Sequence, residues 1–489
     1  MSVASSGTSP LSMSVILSVT KDEWRYWMRS KLALSVLVIG VLLTLGSVIV
    51  TSIQMIELNH QRQSLQNNAE DTFVDQPDRH PHRMVHYGHY AFRLPSPLSM
   101  LDPGVDAYTG NSIFLEGHRQ NSAMFAEQRQ GTALTKLGSL SPSFIVQMLA
   151  PLLLVLIGYS TVSRERESQT LSFILGQGTS VGSLLMGKAL ALFFIVSLIM
   201  APLIVSSVFA LYQGESIAIV ISFLLGYMLY LIVWALVILA ISSVFSKNSE
   251  SFTSLIFLWV LLCIALPRIA STTAATIAPT PGKLETDFAV IAELRKLGDG
   301  HNANDPAFDK LKASLLKQYN VDSIDQLPIN FRGAVARNSE AELTQVLNQF
   351  AEKSMTKELE QTLLARHFGW LSPMVAIRSL SMINAGTSIE THHRFLRETE
   401  ALRFDFVQAL NTVHVEQLDY QIDINRSNDE ASSKKARVSA ENWQVLKDFK
   451  FEIDSPSTRL SRSTSSYLQL LIWIVFLSLI IKTIGRRLQ

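Results

Sequence analysis

Six stretches of the sequence decide what the chain can become. Residues 32–55, 137–162, 189–213, 216–246, 251–267 and 463–482 are apolar and, Lys482 apart, hold no charged side chain. A helix needs about 20 such residues to cross a hydrocarbon layer of roughly 30 Å, and 251–267 sits at the short limit. Helices of this length buried in a soluble core rarely run without a single charge. The pattern predicts an all-α polytopic protein with six transmembrane helices, since helices satisfy their own backbone inside lipid.

Composition points the same way. Of 489 residues, 48% are hydrophobic and 17% charged, against about a quarter charged in soluble domains. Lys and Arg number 42 against 41 Asp and Glu, so no polyanion is implied and nucleic acid is not an expected partner. Cys263 is the single cysteine, which rules out an intrachain disulfide. Residues 1–20 lack the basic start and small-residue cut site of a signal peptide, so the first span is expected to stay in place.

Charges in the short connections orient the spans. Lys21, Arg25, Arg29 and Lys31, then Arg164, Arg166 and Lys188, then Lys247, then Lys482, Arg486 and Arg487 fall on one side, whereas Gln213-Gly214-Glu215 on the other has no Lys or Arg. Both termini, 1–31 and 483–489, are expected in the cytoplasm of a bacterial-type inner membrane. Residues 56–136 and 268–462 are expected outside. Within 1–31, Trp24, Trp27 and Met28 share a helical face, with Arg25 and Arg29 elsewhere. That pattern predicts an interfacial helix lying on membrane lipid.

The outer segments read as one mainly α-helical domain built from two separate pieces. Leu343, Val346, Leu347, Phe350, Met355, Leu359 and Leu363 recur at helical spacing, as do Phe395, Leu402, Phe406, Leu410 and Val413. Asn338 and the acids after it suit a helix start. Residues 370–386 are expected either to pack as a buried helix or to lie along the outer membrane surface.

Three stretches hold residues that could carry chemistry. Gly182 to Ala189 has the frame of a phosphate loop, but Ala189 replaces the Mg²⁺-binding hydroxyl and no strand precedes it, so ATP is not expected on this chain. His80, His82, His86 and His89 crowd one short stretch; they are a candidate Cu²⁺ or Zn²⁺ site, against the plainer reading of a packed, hydrogen-bonded loop. No catalytic motif of a hydrolase or metalloprotease is present, and no enzyme is expected. Last, the polar passage 163–188 opens with Arg164-Glu165-Arg166-Glu167, continues with an apolar face of Leu171, Ile174 and Leu175, breaks at Gly176-Gln177-Gly178 and runs into the third span at Gly187-Lys188. It predicts an amphipathic helical hairpin on the cytoplasmic side.

At these residues the chain resembles the permease subunits of ABC-2-type exporters. Their pattern between the second and third spans is close to E-R-E-x-G-T-L, a helix break, then G-K. Glu165-Arg166-Glu167-Ser168-Gln169-Thr170-Leu171 and Gly187-Lys188 match it, with Gln169 in place of the usual Gly and Gly178 near a frequent Pro. The near-absent loop between spans three and four matches too. Residues 80–92, 101–121 and 371–396 resemble a subgroup with enlarged outer loops. The resemblance implies a permease that pairs with a second copy or sister permease and with cytoplasmic ATPase subunits, which hold the ATP and Mg. Arg164, Glu165, Arg166, Glu167, Thr170, Leu171, Gly187 and Lys188 would then couple the ATPase to the spans. The outer domain could meet an extracytoplasmic partner. A membrane-anchored sensor or scaffold is the alternative, and a metal-dependent membrane enzyme would rest on the histidines alone.

Overall fold

The computed structural model describes residues 11–124, 140–428, 430–445 and 449–488. Helix α1 (Met13–Arg29) leads through Ser30 into α2 (Lys31–Val74), whose first turn is capped by the Ser30 side chain accepting from Ala33 N. At 44 residues, α2 runs for about 66 Å, well beyond what a span needs. A short helix α3 (Pro81–Tyr87) and strands β1 (His89–Phe92) and β2 (Ser112–Leu115) follow, the strands antiparallel with His89 opposite Leu115 and Phe92 opposite Ser112. Helices α4 (Pro142–Glu167), α6 (Val181–Tyr212), α7 (Ile217–Val244) and α8 (Asn248–Ile277) come next, with α5 (Thr170–Gly176) between the first two. Then α9 (Lys283–Leu294), α10 (Asp309–Tyr319), α11 (Phe331–His367), α12 (Pro373–Ala385), α13 (Ile389–Gln417) and α14 (Tyr420–Asn425) precede the long α15 (Pro456–Leu488).

Six of these helices, α2, α4, α6, α7, α8 and α15, are long and apolar enough to cross a membrane. Among the described residues they coincide with the six expected runs, with shifted ends. The expected start of α4 at 137 lies outside the described residues. Helix α8 does not stop at Pro267 but continues to Ile277, because a widened turn at Leu261–Ala265 precedes the proline. There Leu266 N reaches back to Leu261 O. Pro267 has no N–H for the next such bond, and Leu262 O is served instead by Ser372 Oγ at 2.6 Å. A widened turn at Ile145–Leu149 likewise precedes Pro151, and there Gln147 O, four residues before the proline, accepts from Tyr230 Oη.

One core joins α2, α4, α6 and α7 around the fully buried Tyr227, Tyr230 and Trp234. A second core lies among the segments that follow α2 and α8: Phe73 at the end of α2, Met84 and Val85 of α3, Phe395, Phe406 and Leu410 of α13, and Trp443. Both sequence-separated pieces build it. The expected all-α outer domain is corrected by the β1–β2 hairpin. The start expected at Asn338 is corrected as well, since α11 begins eight residues earlier, where Asn330 caps it by accepting from Gly333 N. Residues 373–385 pack as a buried helix against α7 and α15, with Leu380 seated on Gly226.

Candidate functional site

Two polar groups stand out, at opposite ends of the chain's helices. The first is built where α1, α4 and α6 meet. Gly187 lets α1 approach closely: a Cβ there would lie 2.7 Å from Val19 Cβ and 2.8 Å from Ile16 O. Thr20 Oγ1 donates to Gly187 O at 2.9 Å across this contact. One residue on, Lys188 is buried, and its ammonium donates to Glu23 of α1, to Glu165 at 2.6 Å and to Thr161 O at 2.5 Å. Arg164 adds a 2.8 Å pair with Glu23 and lies over the Tyr26 ring. Two cations and two carboxylates thus balance one another away from water, which is what makes burying them tolerable. The frame that mimics a phosphate loop, 182–189, is regular helix shaped by this packing.

The rest of the hairpin is fastened to the neighbouring helices. Arg166 Nη1 donates to Ser243 O and Val244 O at the end of α7, at 2.6 and 2.7 Å, the place where helix carbonyls lack partners. Glu167 accepts from Asn248 N at the start of α8. Helix α5 is different: none of its residues is buried, Thr170 is exposed, Leu171 is half-buried and Phe173 is 73% exposed. The eight residues expected to act together therefore divide. Glu165, Gly187 and Lys188 face inward, Arg164 and Arg166 join helices while partly exposed, Leu171 is half-buried, and Glu167 and Thr170 are exposed. In α1, Arg25 and Arg29 are exposed, but Trp27 is 1% exposed within the core and Trp24 is half-buried against it. The Trp face is turned to protein.

The second group forms around α3. His80 is its N-cap, with Nδ1 accepting from His82 N at 3.1 Å, and Pro81 takes the first helical position, where its missing N–H costs nothing. His82 and His86, four residues apart, share a face, and their Nε2 atoms are 3.2 Å apart. The turn after β2 comes against α3 through Gly117, whose N donates to Val85 O at 3.0 Å and whose Cβ position is filled by Val85. This delivers His118, held at φ 64°. His301, from the loop after α9, completes the set. The donor nitrogens of His82, His86, His118 and His301 all lie within 4.8 Å of one another, and their six ring-centroid separations run from 4.7 to 6.1 Å. Burial, followed by the neighbouring His86, His118 and His301, pushes the His82 pKa down to about 2.

The expected quartet is corrected accordingly. His82 and His86 remain together; His80 and His89 leave. With Nδ1 occupied, His80 donates through Nε2 to Asp423 at 3.0 Å, alongside His414 Nε2 at 2.8 Å, Asn330 Nδ2 at 3.1 Å and Arg426 Nη1 at 3.0 Å. Burial opposes the Asp423 charge, but the hydrogen bonds from His414 and His80 hold its pKa well below the ordinary value. That carboxylate is saturated by donors, including an arginine, and behaves as a structural knot. His89, on β1, is buried beside Gln66. The sequence reading missed His118 and His301 because nothing in their spacing marks them. It also missed Arg459, which pairs with Glu215 at 2.8 and 2.9 Å in a buried contact at the far end of α6.

These features define a mainly helical protein with six candidate membrane spans and a second, mixed core built from residues between them. A family model described as a domain of unknown function (DUF3526) matches residues 285–452. The match covers the segment between α8 and α15, from within α9 onward, with His301, Glu340, Arg403 and Asp423 inside it. Comparison with curated proteins finds no match.

Proposed function

We propose that the chain is the membrane-spanning subunit of an ABC-2-type exporter, coupled to a separate cytoplasmic ATPase that holds ATP and Mg. The observation that carries this reading is the mounting of α5. An exposed helix bearing Phe173 stands on a buried, charge-balanced junction of α1, α4 and α6, so a push on α5 reaches three helices together. Gln169 supports the same reading, because its φ of 59° lies in the left-handed region that favours glycine, the usual residue at that point of the exporter pattern. On this reading both termini are cytoplasmic, α1 runs along the inner face of a bacterial-type inner membrane, the chain pairs with a second permease, and the DUF3526 segment lies outside. Transport then proceeds as a rigid-body rearrangement of spans, with no covalent chemistry on this chain.

Phe173→Asp tests it. The side chain is exposed, so the fold should survive. We expect the variant to lose co-purification with the ATPase and ATP turnover by the complex. Unchanged assembly and turnover would favour the sensor or scaffold reading, in which no ATPase is engaged.

A further inference from the structure

We propose that His82, His86, His118 and His301 form a binding site for one divalent transition-metal ion of the zinc–copper class, closing the outer domain across its two sequence segments. Three features of the geometry carry this. First, four imidazoles from three separate places converge, and neutral imidazole suits Zn²⁺ and Cu²⁺. Metal–nitrogen bonds of about 2.0–2.1 Å put tetrahedral donors roughly 3.3–3.4 Å apart. His82 and His86 Nε2 are already close to that at 3.2 Å, the other donors lie within 4.8 Å, and His301, an exposed loop residue, has room to shift.

Second, two of the rings have their other nitrogen engaged by a carboxylate, the arrangement that fixes the tautomer of a metal-binding histidine. His118 Nδ1 lies 2.9 Å from Glu340 Oε2. His301 Nδ1 lies 3.3 Å from Asp299 Oδ1, which also accepts from His301 N at 3.0 Å. Glu340 is itself fully buried and anchored by Arg403 Nη1 at 2.5 Å, and Arg403 is gripped by both oxygens of Glu400 at 2.8 Å. A proton held on Nδ1 leaves Nε2 with its lone pair.

Third, the His118 Nε2 atom is buried without a hydrogen-bond partner among the described residues, an expensive condition for a polar atom that a metal bond would relieve. Four protein donors leave no open coordination position, so the site binds and fastens rather than activating water. What it fastens is the segment around α9, none of whose residues is buried, to α3 and the β2 turn.

The test uses the full chain, purified in detergent on a tag without histidine and stripped by chelator. It is titrated separately with Zn²⁺ and Cu²⁺ by calorimetry, with thermal unfolding as the second readout. One equivalent of either ion should bind and raise Tm. His118→Ala and His301→Ala should each weaken binding at least tenfold and abolish the Tm rise, whereas His60→Ala, at an exposed position outside the group, should match the parent. Because His301 is an exposed loop residue, its variant should fold and the metal-free Tm should stay put. Failure of the parent to bind either ion saturably, or parent-like binding by His301→Ala, would overturn the proposal.

Discussion

The junction around Lys188 and the histidine group around α3 are both places where polar atoms from distant parts of the chain converge, and they solve the problem in opposite ways. The junction carries its own centre: the Lys188 ammonium, tethered by its side chain, sits between Glu23, Glu165 and the Thr161 carbonyl. The histidine group is made of lone-pair donors, two of them, His118 and His301, set by carboxylates behind them. The difference teaches that convergence alone does not mark a ligand site. What matters is whether the charges cancel within the chain, as two cations and two carboxylates do at the junction, even though Glu23 Oε2, Glu165 Oε2 and Arg164 Nη1 lack hydrogen-bond partners among the described residues.

The comparison can be broken by removing the centre of the first group. Lys188→Met leaves two carboxylates buried against Arg164 alone, and breaking a buried pair in this way costs about 3–5 kcal/mol. Chemical unfolding in detergent micelles should read that loss, and Glu23→Gln added to it should recover part. A fully stable Lys188→Met protein would mean that the junction is wetter than its geometry indicates. Supplying a centre to the second group should work in the other direction. With Zn²⁺ or Cu²⁺ at about 100 times its Kd, the native state gains roughly 2.7 kcal/mol, visible as a higher unfolding midpoint that chelator reverses.

A third experiment separates the two sets of histidines. His414→Ala removes one donor from the buried Asp423, at a cost of about 1.5–3 kcal/mol for a hydrogen bond to a charged group. It should leave metal affinity unaltered, since His414 serves the saturated knot. Equal losses of stability and metal binding would merge the two sets into one. The smallest effect belongs to Asp299→Asn. Asp299 is exposed and only positions His301, so a roughly tenfold weaker metal affinity with unaltered metal-free stability is expected, the lower end of what such outer partners contribute.

The spans were legible because lipid imposes a length and a charge rule that acts residue by residue. Their ends were not: α2 runs on to Val74 because its polar second half is good helix that finds the second core through Phe73, and α8 passes Pro267 because Ser372, 110 residues from Leu262, covers the freed carbonyl. The hairpin 163–188 was legible as a hairpin with a helix break. Which of its charges face inward depends on α1 docking through Gly187, a tertiary event. The histidine stretch shows the same limit at shorter range. Local spacing pairs His82 with His86, but capping geometry turns His80 away, strand pleating removes His89, and only the closed fold brings in His118 and His301.

The two widened turns have a further consequence for how the spans can move. In α4 and α8 the carbonyl ahead of each proline is held by a hydroxyl from another element, Tyr230 of α7 for one and Ser372, just before α12, for the other. Each span therefore relies on a neighbour to satisfy a carbonyl close to its proline, tying α4 to α7 and α8 to the start of α12, and a movement that parted either pair would leave that carbonyl without its donor.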